Sequence, residues 1–247
     1  MSDIQTRLAD LALHGLLLHF DEVKDADWLD WLVEVEEKER SRRSLERRVR
    51  SAKLGRFKPL ADFDWDWPER IDRKSVEELF GLGFIEEQAN IVLLGPNGVG
   101  KTMLSKNLAH RALLAGHTVQ YTTASAMLNQ LAAEDSASGL QRRLRRLCRP
   151  GLLFVDEVGY LSYGNRHADL LFEVVTRRYA AGKPIVITTN KSFEEWNQVF
   201  PSAACVVTLV DRLVHRSEIL TVKGESYRLK EAKDRAVAKA RQRDNPQ

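Results

Sequence analysis

The spacing of apolar residues along the 247-residue chain changes character near residue 60. Upstream, Leu8, Leu11, Leu16 and Leu18 recur at near-helical spacing between Ile4 and Phe20, and Trp28, Leu29, Trp31, Leu32 and Val35 form a second helical stripe. This spacing predicts two helices packed together, with Trp28 and Trp31 as core anchors, continuing into a basic helix over about 38–58. Pro59 and the aromatic segment Phe63, Trp65, Trp67 and Pro68 interrupt the helical period, so residues 61–75 read as an extended linker pinned onto the next domain. Short β-rich runs then alternate with helical stretches. The runs are 90–94, 118–123, 151–155 and 184–189, and the helices begin near Lys101, Ala124 and Ala168. Such alternation predicts an α/β fold, a parallel sheet flanked by helices with right-handed crossovers. Residues 218–222, the pair Lys223 and Gly224, and residues 225–229 read as a hairpin, followed by a polar tail over 231–247. The expected organisation is a helical domain over 1–60 and an α/β domain over 61–247.

Composition narrows the class. With 43% hydrophobic and 30% charged residues, the chain is neither disordered nor collagen-like. Its longest apolar run is too short to span a bilayer. The N-terminus carries Asp3 and Asp10 and lacks a signal-peptide layout, so a cytoplasmic protein without a membrane partner is expected. Cys148 and Cys205 have no His or Cys at metal spacing and read as reduced thiols. The net charge of +3 conceals segregation. Residues 21–37 carry eight acids against Lys24, and residues 38–58 carry ten bases against Glu39 and Glu46. Such a basic block makes polyanion binding an expectation.

The strongest chemical signal is Gly95-Pro96-Asn97-Gly98-Val99-Gly100-Lys101-Thr102, a G-x-x-x-x-G-K-[ST] loop between an apolar run and a helical stretch. Its glycines let backbone amides turn toward phosphates and the helix start adds a positive dipole. Lys101 is placed to reach the β and γ phosphates of ATP, and Thr102 to offer its hydroxyl to Mg²⁺. The apolar run Leu152-Leu153-Phe154-Val155 ends in Asp156 and Glu157. Asp156 then completes the Mg²⁺ shell and Glu157 polarises an attacking water, which favours hydrolysis over transfer to a small acceptor. Asn190, after Ile187-Thr188-Thr189, either orients that water or caps the strand end. Arg212 and Arg216 are candidate transition-state arginines, able to act in trans, or else surface residues.

Four segments together carry a resemblance: 93–102, Phe154-Val155-Asp156-Glu157-Val158-Gly159-Tyr160-Leu161, Thr188-Thr189-Asn190 and Gly224-Glu225-Ser226-Tyr227-Arg228-Leu229-Lys230. The sequence resembles the IstB family of ATP-binding transposition helpers, relatives of the DnaC helicase loaders and, more distantly, of DnaA initiators. Asn97 and Met103 stand where that family often has proline and histidine. The resemblance implies an AAA+ domain with Asn190 as the sensor and Arg212, or in reserve Arg216, as the finger reaching a neighbour's ATP. It also implies homo-oligomers with ATP at subunit interfaces, assembled on duplex DNA with little sequence preference, and a cognate transposase as partner. A replicative helicase loader of the DnaC type is the alternative. Only 35 residues (247 minus 212) follow Arg212, so no C-terminal lid domain is expected. For DNA contact the candidates are Arg42, Arg43, Arg47, Arg50 and Lys53 on the basic helix and Arg142, Arg143, Arg145 and Arg146 in a second cluster. Either cluster could instead be a solvated helix face.

Overall fold

The protein's structure, a computed structural model, describes residues 3–160, 164–200 and 205–244. Leu161, at the end of one quoted segment, and residues 245–247 of the expected tail lie outside the described residues. Contacts divide the chain into two units, Met1–Arg50 and Ser51–Gln247. The division precedes the change in sequence period because Ala52 and Leu54 are buried in the core of the second unit.

In the first unit the helices Asp3–Asp10, His14–Leu18 and Phe20–Val23 precede the long helix Leu29–Ala52. Ala12 takes a left-handed φ of 50°, and the Leu13 amide bonds back to the Leu8 carbonyl at 3.0 Å, a turn that ends the first helix. One expected N-terminal helix is therefore three short pieces. Leu8, Leu11, Leu29 and Val33 form the buried core, and Arg7 makes a two-pronged contact with Glu37 at 2.9 and 2.8 Å. Trp28 and Trp31 are not anchors: they are 45% and 65% exposed. The long helix is apolar on two faces, and Leu29 and Val33, four residues apart, occupy the covered one.

Among the described residues the second unit is built on five strands, β1 Asn90–Leu94, β2 Val119–Thr123, β3 Leu152–Val158, β4 Ile185–Thr189 and β5 Ser217–Thr221. All are parallel, in the order β2-β3-β4-β1-β5. Side chains alternate across the sheet, so each strand feeds two cores. On one face Ile91, Leu93, Phe154 and Val186 pack with Leu104, Leu108 and Leu113 of the helix Lys101–Leu114. On the other, Leu153, Val155, Ile185 and Ile187 meet Leu128, Leu171, Val174 and Leu209 from the helices Ala124–Ala132, Asn165–Ala180 and Val206–Val214. Thr123 caps the helix it precedes, its hydroxyl accepting from the Ala126 amide at 3.2 Å.

The expected C-terminal hairpin does not form. β5 pairs in parallel with β1, and residues 225–229 lead into the helix Tyr227–Asp244, which occupies most of the expected tail. After β5 the chain pairs with the linker instead, Lys223 and Arg70 exchanging two backbone bonds at 2.8 and 3.2 Å. Gly224 passes so close to the Pro68–Glu69 backbone that a Cβ would lie 3.0 Å from the Glu69 nitrogen. The helix start is then held by Lys230 on Asp64 at 3.1 Å and by Lys58 on Glu231 at 3.0 Å.

Phe154 is 1% exposed and stacks on Tyr121 with 5.8 Å between centroids, joining β3 to β2 beneath the site. The Phe154→Ala variant is expected to lose about 3–5 kcal/mol of stability, seen as a lower urea midpoint at an unchanged m-value.

Candidate nucleotide site

β1 runs straight into the loop 95–100, and the helix Lys101–Leu114 leaves it. Gly98 and Gly100 have φ of 84° and 101°, where a side chain is strained. At Gly100 a Cβ would also stand 2.5 Å from the Phe63 ring, and at Gly98 it would overlap the Ser226 side chain. The Tyr227 amide donates to the Gly98 carbonyl at 3.0 Å. The phosphate-type loop is thus gripped by the linker on one side and by the segment opening the last helix on the other.

Lys101, 4% exposed, folds its ammonium back into the loop and donates to the carbonyls of Gly95 and Pro96 at 2.6 and 2.7 Å. Burial lowers its pKa to about 8 against the pull of Asp156 and Glu157, and Arg228 pushes in the same direction as burial. Thr102 donates to Asp156 Oδ1 at 3.2 Å, and the same oxygen accepts from the Thr188 hydroxyl on β4. The sequence-predicted pair Thr102 and Asp156 is therefore in contact, although 54 residues separate them.

Glu157 stands at an irregularity that sequence cannot show. Val155 pairs with Ile187 and Val158 with Thr189, so Asp156 and Glu157 together oppose Thr188 in a β-bulge. Glu157 takes a left-handed φ of 64°, and its amide donates to Thr188 Oγ1 at 2.9 Å. A non-glycine residue in this conformation costs on the order of 1–3 kcal/mol, which the surrounding structure must hold. The bulge buries Asp156 while turning Glu157 into a cavity of about 580 Å³ beside the loop, within the size range of ligand sites.

That cavity also has walls absent from the loop motif: Arg56, Lys58, Trp67, Tyr227 and Arg228. Trp67 donates to the Glu225 carbonyl at 3.0 Å and meets Tyr227 edge-on at 6.1 Å. The aromatic linker and the 224–230 motif are both visible in the sequence, but no spacing rule says that they meet.

Asn190 follows β4 at the same sheet edge, and its buried Oδ1 has no hydrogen-bond partner among the described residues. Such an orphaned acceptor fits a site completed by a bound water or ligand. Arg212 is not in the cavity. It lies in the last turn of the helix Val206–Val214, donates to Thr176 Oγ1 and sits 4.9 Å over the Phe172 ring. Arg216 lies farther on, beside Gln88, Tyr179 and Lys183.

The basic candidates separate into engaged and free groups. Arg42 binds Glu39 and Glu46, and Arg43 binds Glu39, whose carboxyl is held down at about 2 by the two arginines. Arg47 and Arg50 are exposed and form no ion pair among the described residues, and Lys53 ends the helix with a left-handed φ of 59°. In the second cluster Arg143 is committed to Glu134 at 2.5 Å and Gln130 at 3.2 Å. Arg142, Arg145 and Arg146 are exposed on the helix Ala137–Cys148, where their spacing puts them on one face opposite buried Leu144. Lys191, also basic and near the site, is tied to Glu195 at 2.9 Å.

A five-stranded parallel sheet flanked by helices, with a phosphate loop after β1, an acidic pair at the end of β3 and a polar residue after β4, defines an ATP-binding protein of the AAA+ class. Solved structures share this fold. DnaI aligns with a TM-score of 0.57 at 16% identity, over 70% of this chain and 92% of that one. The DnaC helicase loader aligns at 0.52 and 18% identity, over 70% and 97%. Within the class, the sequence family of IstB-like ATP-binding proteins matches residues 9–235, and the chain belongs to that family. An ATP-binding protein of insertion sequence IS21 from Pseudomonas aeruginosa is 35% identical over 96% of this chain and 92% of its own length. One of insertion sequence IS5376 from Geobacillus stearothermophilus is 37% identical over 83% and 82%. No helix among the described residues is long and apolar enough to cross a membrane.

The buried Lys101 gives a pH signature. With its pKa near 8 in the free protein, an entering phosphate restores the ordinary, higher value, so nucleotide binding takes up a proton where the free side chain is neutral. Calorimetry at pH 9 in buffers of differing ionisation enthalpy is expected to show proton uptake on ATP binding, and affinity is expected to fall as pH rises above about 8. Below that pH the uptake disappears, and Lys101→Ala lacks it throughout.

Proposed function

We propose that this protein is the ATP-hydrolysing helper of an insertion-sequence transposase, acting as an oligomer on duplex DNA. The observation that carries this reading is the likeness to an IS21 ATP-binding protein across almost the whole length of both chains, first helical unit included. The DnaI and DnaC likenesses are of fold alone and do not argue for helicase loading.

In this reading Lys101 leaves the carbonyls of Gly95 and Pro96 to hold the β and γ phosphates, drawn by charge from a poorly solvated site. Thr102 and Asp156, already in contact, fit a shared divalent cation and would hold Mg²⁺. When bound, that ion would screen the phosphate charge. Glu157, turned into the cavity by the bulge, accepts the proton of the attacking water, and Asn190 orients it through the unpartnered Oδ1. Arg228 lines the cavity near Lys101 and adds a cation from the same chain. Arg212 rests on Thr176 and Phe172 away from its own cavity, which supports a role on the nucleotide of a neighbouring subunit. ATP then reports assembly. The exposed Arg142, Arg145 and Arg146 contact phosphates of the duplex, and the recruited partner is the transposase.

Mixing two inactive variants tests the shared site. Glu157→Gln is expected to keep ATP binding and lose turnover by about 10²–10⁴-fold, and Arg212→Ala to lose turnover by about 10³-fold or more. Combined on DNA they should regain activity, since intact Glu157 of one variant meets intact Arg212 of the other. Absence of any regain, with both variants assembled, would count against the interface.

DNA contact is tested by salt. Replacing Arg142, Arg145 and Arg146 with alanine is expected to flatten the slope of log affinity against log salt by about 2.7, three phosphates at roughly 0.9 each. Gel-shift titrations should show retention with ATP and much less with ADP.

A further inference from the structure

Two buried hydroxyls stand next to Thr102 and Asp156, and neither belongs to the phosphate loop or to the acidic pair. Ser105 lies one turn into the helix Lys101–Leu114, and Tyr121 is the middle residue of β2. Their oxygens are 2.8 Å apart, and the Ser105 hydroxyl is also 3.1 Å from the Thr102 carbonyl. A serine hydroxyl has one proton, so it donates to the phenol or to the carbonyl, one at a time. Burying two hydroxyls in the core that holds Phe154 and Leu104 is costly unless each is used.

The register of the sheet says what the phenol faces. Tyr121 pairs with Phe154 and Thr123 with Asp156, and residues two apart on a strand share a face, so Tyr121 lies beside the face of β3 that carries Phe154 and then Asp156. From there an aromatic side chain is long enough to reach the neighbour two residues on. The electrostatics agree. Burial first, then the charge of Asp156, raises the phenol's pKa above its ordinary value, and a hydrogen bond to the Asp156 carboxyl adds to this while Ser105 opposes it.

We propose that Tyr121 is a positioning residue for Asp156, donating its phenol proton to the carboxyl from the β2 side while Ser105 donates to the phenol oxygen. This rests on the reading of Thr102 and Asp156 as the pair that would hold Mg²⁺. Thr188 holds the same carboxyl from β4, and Thr102 holds it from the helix after the phosphate loop. Of these three donors, Thr102 is the one that gives up its bond if its oxygen is to face a cation. With Tyr121 and Thr188 on either side, the carboxyl then keeps its place instead of turning. Supports of this kind set metal affinity once the ligands are fixed. Hydroxyls that only filled space would behave otherwise, because phenylalanine and alanine of nearly the same shape would replace them with little effect on a cation.

Calorimetry on the full chain tests this, using the non-hydrolysable ATP analogue with an imido bridge between the β and γ phosphates, once with Mg²⁺ and once with EDTA. The quantity read is the ratio of the two affinities, because a loosened fold lowers both and a displaced carboxyl lowers only the first. Tyr121→Phe is expected to reduce the ratio by about 10-fold or more, with the affinity in EDTA and the circular dichroism unchanged. Ser105→Ala leaves the phenol in place but removes its donor, so it is expected to reduce the ratio less, and it serves as the second variant should the first misfold. A Tyr121→Phe ratio equal to that of the wild type overturns the proposal, as does an equal fall in both affinities. Asp156→Asn separates the two readings. If that variant keeps the wild-type ratio, the metal pair falls and the role of Tyr121 with it. If it loses the ratio while Tyr121→Phe and Ser105→Ala keep it, only the positioning role falls.

Discussion

The carboxyl group of Asp156, 4% exposed, accepts hydrogen bonds from the hydroxyls of Thr102 and Thr188 on a single oxygen. A buried carboxyl left unpartnered is costly, so those two hydroxyls fix where the helix after the phosphate loop, β3 and β4 can sit relative to one another. The layout of the sheet edge depends on that junction. Thr188 commits its hydroxyl to Asp156 and also receives the Glu157 amide, which holds the bulge that the β3–β4 register requires. The bulge separates two adjacent acids into different environments, one buried against hydroxyls and one facing the cavity. Adjacent residues on a regular strand would also point apart, but only the left-handed turn at Glu157 brings the second acid into the cavity beside the loop.

The loop itself is held from outside the sheet. Phe63 covers Gly100, Ser226 covers Gly98, and the Tyr227 amide binds the Gly98 carbonyl. Trp67, Tyr227 and Lys230 stack together, with the Lys230 ammonium 4.3 Å from the Trp67 ring, so linker and last helix brace one another as well as the loop. A nucleotide entering this cavity would touch the sheet edge, the linker and the last helix at once. Movement of either brace would therefore be felt at the phosphates.

The first unit is built differently. Among the described residues a core of four buried side chains leaves much of a 24-residue helix uncovered. Small units bury a small fraction of their apolar surface, and the remainder is available for association. Here the uncovered stripe coincides with the strongest charge segregation in the chain, and both lie on one helix.

Sequence alone determined the parallel α/β body, the loop 95–102 and the acidic pair, because buried parallel strands read as apolar runs and a phosphate loop needs glycines at set positions. It misjudged the segment after β5, since Lys223 and Gly224 fit a hairpin turn equally well and only the competing partner Arg70, more than 150 residues away, decides the pairing. It misassigned Trp28 and Trp31 because two apolar stripes overlapped on one helix and periodicity does not say which finds a covering neighbour. The bulge at Glu157, the unpartnered Asn190 oxygen and the walls from Arg56, Trp67 and Arg228 were decided by tertiary structure. Each depends on contacts between distant segments, and local pattern carries information only about neighbours within a few residues.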